Sequence, residues 1–383
     1  MSDLRITETE LYVLGRDETG RKPLVFVRLV ADDGTTGLGE VPIRPDKHEV
    51  LPLLASMADS LVGTDPFETE RLLTGHGSFA ATPNTLLAST IRGGLDIACW
   101  DLKGKYLGCP VYELLGGAVD GRTIPVYANG WYADRAMTTD EYRHTGRDPA
   151  QVAEAARAVV DRGYDAMKID PFGPGGVRMS RAERNRSVEI VAAVRDEVGP
   201  DVDLFIEGHK LFTTAGAIEM ASLLEPYEPG FFEEPTPPDL GALESVAATS
   251  AVPIATGETL PSHRSFAPLL AETRVSVVQP DAIVTGGVTE LRKVAALASA
   301  HNVSFAPHNS NGPVSTAVAA QVAVTAETFT IQETFQDFVP HDWHERAVED
   351  PLDIVDGELT VPDRPGIGLT LDLDELEDFR YQP

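Results

Sequence analysis

The sequence predicts an α/β fold organised as a parallel barrel, and two observations carry the prediction. Short apolar runs repeatedly stop on a polar residue: AMKID, LFIEGH, FFEEP, PIATGE, VVQPD, SFAPH and TIQE. From Glu207 the closing residues Glu233, Glu258, Asp281, His308 and Glu333 follow at intervals of 26, 25, 23, 27 and 25. A strand of about 5 residues, a helix of about 11–12 and two short loops fill that length. The runs are continuous rather than alternating, as in strands buried on both faces of a parallel sheet. Polar side chains at the carboxyl ends of successive strands converge on one rim, where barrels hold their functional groups.

A chain of 383 residues has room for a barrel of about 250 and a second domain. Residues 3–14 and 24–31 read as strands, and Asp32-Asp33-Gly34 as the turn into GLGEV, so the chain starts antiparallel. Residues 16–22 form a polar connection, either a flap or a plain hairpin. From His48 to Leu115 the pattern is mainly helical. One long helix stops at Gly108, and a short one runs from Pro110 to Gly116-Gly117.

The barrel begins with IPVYANG at Ile124. A helix follows Asp148-Pro149, with Val152, Ala155, Ala156 and Val159 on one face. Further helices are predicted over 181–198, 214–225, 239–249, 262–272, 287–301 and 313–327, giving eight strands and seven intervening helices. After Asp350 an acidic tail has strand and turn signals but no room for another unit. Its expected role is to return to the N-terminal sheet.

Composition narrows the function classes. The chain is 42% hydrophobic, yet no apolar run is long enough to span a membrane. MSDLRITETELYV lacks a basic segment followed by an apolar one, so the expected location is cytoplasmic. Cys99 and Cys109 make neither a disulfide framework nor a zinc spacing. A formal charge of −29 argues against nucleic acid or an anionic membrane as partner. It fits a salty cytoplasm or an ordinary acidic protein equally.

The rim residues suggest chemistry. Glu207, Glu233 and Glu258 brought within a few ångströms would repel by about 4 kcal/mol per pair at an effective dielectric of 20. They must share protons or bind a cation, and an all-oxygen set favours Mg²⁺ over zinc. Asp281 and His308 close adjacent strands, so the carboxylate can fix the tautomer of the imidazole and raise its basicity. His209, two residues past Glu207, is a candidate general acid. Lys168 offers positive charge, Asp170 either pairs with it or meets substrate, and Glu333 can hydrogen-bond a developing oxyanion. Trp131 is a candidate substrate contact at the rim. No nucleophile elbow, Walker loop or dinucleotide fingerprint competes with this reading.

The set GLGEV, DIACWDLKGKYLGCPVYELLGG, FFEEP, ATGE, QPDAIVTGGVTE and RPGIGL resembles the mandelate racemase group of the enolase superfamily over nearly the whole chain. The resemblance implies a (β/α)₇β modified TIM barrel over residues 121–350. It also implies an α+β capping domain from residues 1–120, to which residues 351–383 return. It implies one Mg²⁺ per subunit on Glu207, Glu233 and Glu258, with a His308–Asp281 dyad and Glu333 as the eighth-strand acid. Lys168 matches the first lysine of the group's Lys-x-Lys motif. Asp170 replaces the second, which argues against two-base racemisation. EGHKL and APHNSNGP are similar to the D-galactonate dehydratase pattern, in which His209 would be the acid for the leaving hydroxyl.

The implied activity is Mg²⁺-dependent dehydration of an aldonate, such as galactonate, gluconate or a pentonate, to the 2-keto-3-deoxy acid. A sugar-acid epimerase, a lactone cycloisomerase and a non-catalytic sugar-acid binder are the alternatives. A symmetric homo-oligomer is expected from the group.

Overall fold

The computed structural model describes residues 3–15, 23–43, 47–73, 85–133, 146–338 and 346–382. The polar connection 16–22, the loop 44–46 and the HDWH segment at 341–344 lie outside the described residues. Strands β1 (Ile6–Leu14), β2 (Leu24–Ala31) and β3 (Thr36–Pro42) form an antiparallel sheet in that order. The long helix Leu86–Leu107 packs across it, capped by the Thr85 side chain and ended by Gly108 in the left-handed conformation.

The barrel strands are β4 (Thr123–Ala128), β5 (Ala166–Ile169), β6 (Asp203–Glu207), β7 (Phe231–Glu233), β8 (Ile254–Thr256), β9 (Val277–Val278), β10 (Ser304–Phe305) and β11 (Gln332–Thr334). They pair in parallel in sequence order. A bridge from Phe305 to Phe329 and the pairing of β11 with β4 close the ring. The helix Pro149–Val160 buries Val152, Ala153, Ala156 and Val159, while Ala155 is only partly covered. The last barrel helix, Pro313–Ala323, ends short of residue 327 because a turn follows. No helix among the described residues is long and apolar enough to cross a membrane.

One cluster of side chains fills the barrel interior: Tyr127, Ala166, Phe205, Phe231, Ala255, Val277, Ala306 and Ile331. Each comes from a different strand or the residue beside it, and Phe205 stacks on Phe231 with centroids 4.0 Å apart. Side chains alternate along a strand, so the residues two positions further on also face inward. These are Asn129, Lys168, Glu207, Glu233, Gln279, His308 and Glu333, whereas after β8 the position falls on Gly257, whose positive φ breaks the alternation. The apolar floor thus fixes a polar layer directly above it.

The tail departs from the simple expectation. Its hairpin, β12 (Ile354–Val355) with β13 (Glu358–Thr360), pairs antiparallel with barrel strand β4 rather than with the N-terminal sheet. The chain end then reaches that sheet at one bridge, Tyr12 to Arg380, and through Tyr381 N–H donating to Leu11 O at 2.7 Å. β4 already has β11 and β5 along one stretch, and the hairpin extends its free N-terminal half.

The two parts of the fold touch backbone to backbone. A Cβ on Gly93 of the long helix would lie 2.0 Å from Ile283 O, just past Asp281. Nearby, buried Asp96 accepts from Thr289 N–H at 2.9 Å and from its hydroxyl at 2.6 Å. Asp101 accepts from Leu38 N–H at 2.7 Å and Ile367 N–H at 2.8 Å, tying sheet, helix and tail. Gly93→Ala is therefore expected to cost about 1–3 kcal/mol through overpacking, although alanine is the better helix former. The midpoint of denaturant unfolding measures this, and an unchanged midpoint would contradict the close approach.

Candidate active site

The polar layer is held by one lysine. Lys168 Nζ lies 3.1 Å from Glu207 Oε2, 2.6 Å from Glu233 Oε2 and 2.9 Å from Glu333 Oε1, and all four residues are buried. The ammonium donates to Glu233 and is ion-paired with Glu207 and Glu333. Glu207 and Glu233 are register partners on β6 and β7, which brings them to the same height. Burial alone would lower the Lys168 pKa, but Glu233 and Glu333 outweigh it and hold it well above the usual lysine value. Burial and Glu207 together push the Glu233 carboxyl well above the usual range.

Glu258 does not join that group in this arrangement. Gly257, just past β8 at φ 129°, breaks the alternation, and a Cβ there would lie 2.7 Å from the ring of Phe266 on the outer helix Ser262–Glu272. Glu258 comes one residue later and pairs with Lys210, and its Oε2 lies 3.2 Å from His308 Nε2. Burial opposes ionisation, but His308 and Lys210 hold the Glu258 carboxyl far below its ordinary range. Among the described residues no three His, Cys, Asp or Glu side chains stand close enough, as arranged here, to enclose a metal ion. The donors nonetheless suit a hard divalent cation. They are carboxylate oxygens on neighbouring strands, and buried Glu233 Oε1 accepts no hydrogen bond.

Two carboxylate–imidazole pairs flank the acids. Asp281 follows the end of β9 and caps the helix Ala282–Thr285 with Oδ1, which accepts from Ile283 and Val284 N–H, both at 2.9 Å. That leaves Oδ2 for His308 Nδ1 at 2.9 Å and for the Asn311 side-chain amide at 2.8 Å. Buried Asp170 accepts from Phe172 N–H at 2.9 Å through Oδ1, while its Oδ2 lies 2.8 Å from His209 Nδ1. The sequence left Lys168 or substrate open as partner for Asp170, and in this structure its Oδ2 meets His209. The His209 side chain is 37% exposed, against 11% for His308, so His209 faces the opening.

Trp131 is buried with its Nε1–H unpartnered and its ring edge-on to Tyr132. No described contact brings it to the carboxylates. Several polar groups of the mouth escaped the sequence reading. Gln279 donates to Glu233 Oε2 at 2.8 Å, the Asn129 amide donates to Glu333 Oε1, and Asn309 N–H donates to Glu333 Oε2 at 2.9 Å. Their signal was available, since each of Asn129 and Gln279 stands two residues past a floor residue. Lys210 and Glu234 were harder to foresee. His209, Lys210 and Glu234 adopt φ of 45°, 61° and 41°, a region non-glycine residues seldom occupy and which clusters at functional sites.

Two outcomes follow for protein treated with a chelator. Lys168→Met leaves three buried carboxylates without their cation and is expected to cost roughly 3–5 kcal/mol, read by chemical unfolding. Burial would lower the His308 pKa, but Glu333, Asp281 and Glu258 raise it to about 10. A pKa raised on folding stabilises fully below the unfolded value near 6.5, and that contribution is lost as pH rises through about 10. The pH dependence of unfolding should therefore be flatter in His308→Asn over that window.

Comparison with known proteins places this geometry. Residues 5–116 match the family model described as "Mandelate racemase / muconate lactonizing enzyme, N-terminal domain", and residues 151–376 match "Enolase C-terminal domain-like". A D-gluconate dehydratase of Thermoproteus tenax is 38% identical over 99% of this chain and 74% of its own. A D-gluconate/D-galactonate dehydratase of Picrophilus torridus is 31% identical over 98% and 94%. The crystal structure of a mandelate racemase/muconate lactonizing enzyme from Jannaschia sp. CCS1 superposes with a TM-score of 0.87 at 31% identity, covering 99% of this chain and 98% of that one.

Proposed function

The chain belongs to the mandelate racemase/muconate lactonizing enzyme family of the enolase superfamily, and on that premise we propose that it dehydrates a sugar acid of the gluconate or galactonate class. The reaction would yield the 2-keto-3-deoxy acid, as a hydro-lyase. The observation that carries the reading is the pair of oriented imidazoles, His308 on Asp281 and His209 on Asp170, on either side of the carboxylates. An elimination needs one group to take a proton and another to give one, and this mouth holds both.

Glu207, Glu233 and Glu258 are the residues that would hold Mg²⁺. When bound, the ion supplies Lewis acidity that stabilises negative charge on a substrate carboxylate, worth several kcal/mol in such sites. The chain's own groups account for the proton movements. Asp281 engages Nδ1 of His308, so Nε2 is the atom that would take the α-proton. Glu258, if it held the cation, would no longer help keep that imidazole protonated, and Lys168 adds positive charge beside the deprotonated acid. Asp170 engages Nδ1 of His209, so Nε2 gives its proton to the departing β-hydroxyl, which leaves as water. The C–H electron pair becomes the C=C bond, the C–O pair leaves on the oxygen of the water, and the enol tautomerises to the ketone. The protein's overall charge of −29 repels an anionic substrate, so Lys168, Lys210, the two imidazoles and the proposed cation together have to offset it locally. Self-association into a symmetric homo-oligomer belongs to the same proposal, as does a cytoplasmic location.

A keto-acid assay over a panel of aldonates and aldarates with Mg²⁺ tests the activity. Binding with neither keto product nor α-hydrogen exchange would leave a sugar-acid binder instead, and exchange without keto product would mark an epimerase. His308→Asn is expected to abolish exchange of the α-proton with solvent deuterium, lowering turnover by about 10²–10⁴-fold. His209→Asn should block elimination at a similar cost while leaving exchange detectable. Exchange persisting unchanged in His308→Asn would remove it as the base.

A further inference from the structure

The GLGEV segment was singled out in the sequence, yet no step of the proposed reaction uses it. Its glutamate, Glu40, lies on β3 of the N-terminal sheet and is wholly buried. Glu40 Oε1 accepts from Gly312 N–H at 2.6 Å, and Oε2 accepts from Val314 N–H at 3.1 Å and Ser315 N–H at 3.4 Å. These are the open amides at the start of the helix Pro313–Ala323, where a carboxylate is favoured by hydrogen bonding and by the helix dipole together. The approach leaves no room at Gly312, where a Cβ would lie 2.7 Å from Glu40 Oε2.

The five residues from His308 to Gly312 join this contact to the proposed base. Gly312 follows Asn311, whose side-chain amide donates to Asp281 Oδ2 at 2.8 Å. The same oxygen meets His308 Nδ1 at 2.9 Å. Asn309 N–H donates to Glu333 Oε2 at 2.9 Å, and the Asn309 amide donates to the Thr316 hydroxyl at 2.7 Å. The Asp281, Glu333 and Thr316 anchors come from the barrel itself, whereas Glu40 comes from the separate sheet. If Glu40 lets go, Gly312 is free to shift, Asn311 moves with it, and Asp281 loses one of the two donors that aim Oδ2.

We propose that Glu40 is a positioning residue for the His308–Asp281 pair, through which the N-terminal sheet sets the orientation of the base. The catalytic part of this inference rests on the dehydratase reading. The positioning part does not, because it concerns a contact present without substrate.

Glu40→Ala and Glu40→Gln test it, beside Thr289→Val, which removes a different link between the N-terminal part and the barrel, from Thr289 to Asp96 on the long helix. In Glu40→Ala, kcat for α-proton exchange is expected to fall by up to about 10²-fold, the cost of misplacing a catalytic group by an ångström, with KM within about twofold of wild type. The downfield Nδ1 proton resonance of His308, seen by NMR without substrate, should weaken or disappear. Glu40→Gln keeps one acceptor oxygen for Gly312 and should recover much of both readouts. It also serves if the alanine variant fails to fold. Thr289→Val should lower thermal stability and leave both readouts alone. The proposal is overturned if Glu40→Gln and Glu40→Ala lose stability as Thr289→Val does while kcat and the His308 resonance stay at wild-type values. If wild type turns over no sugar acid, the dehydratase reading fails, and the resonance alone still decides whether Glu40 positions His308.

Discussion

A single ammonium group makes the mouth of this barrel tenable. Glu207, Glu233 and Glu333 are all buried, and each would repel its neighbours strongly in a medium that screens poorly. Lys168 lies within ion-pair distance of all three, so one positive charge supplied by the chain itself is shared among them. The balance is incomplete, because Glu233 keeps one oxygen without a hydrogen bond and a raised pKa. The proposed cation would give that oxygen a partner.

The alternation of a β-strand turns that balance into a layout. The floor of the barrel is a ring of apolar side chains, and the next inward position on each strand carries the functional groups. Packing below therefore dictates placement above. The pattern breaks just past β8, where Gly257 turns at positive φ against the Phe266 ring of the outer helix layer, and Glu258 meets Lys210 and His308. The same rim holds two aspartates that spend one oxygen on backbone amides and the other on a histidine. In each case the backbone bond fixes the carboxylate, and the carboxylate then fixes the imidazole.

The N-terminal sheet is part of this apparatus and not an appendage. Gly93 lets the long helix touch the turn just past Asp281, while Asp96 and Glu40 cross to barrel helices. Both carboxyls are buried, and burial pushes Glu40 up to about 7 and Asp96 to about 6 against the pull of the amides they accept from. Polar contacts of this sort are costly to bury and therefore directional, so they fix how the two parts of the fold meet.

Much of this was legible in the sequence. The βα rhythm, the helix after Asp148, the stop at Gly108 and the rim positions of Lys168, Glu207, Glu233, Asp281, His308 and Glu333 follow from local rules of periodicity, capping and strand ends, which act over a few residues. What the chain order could not decide was which rim groups meet. Asp170 stands two residues from Lys168 but turns to His209, Glu258 is drawn away from Glu207 and Glu233, and the tail hairpin adds to β4. Those outcomes depend on contacts between groups distant in the chain, on the shape of a buried ring and on where each charge finds its counter-charge. Such terms exist only once the barrel has closed.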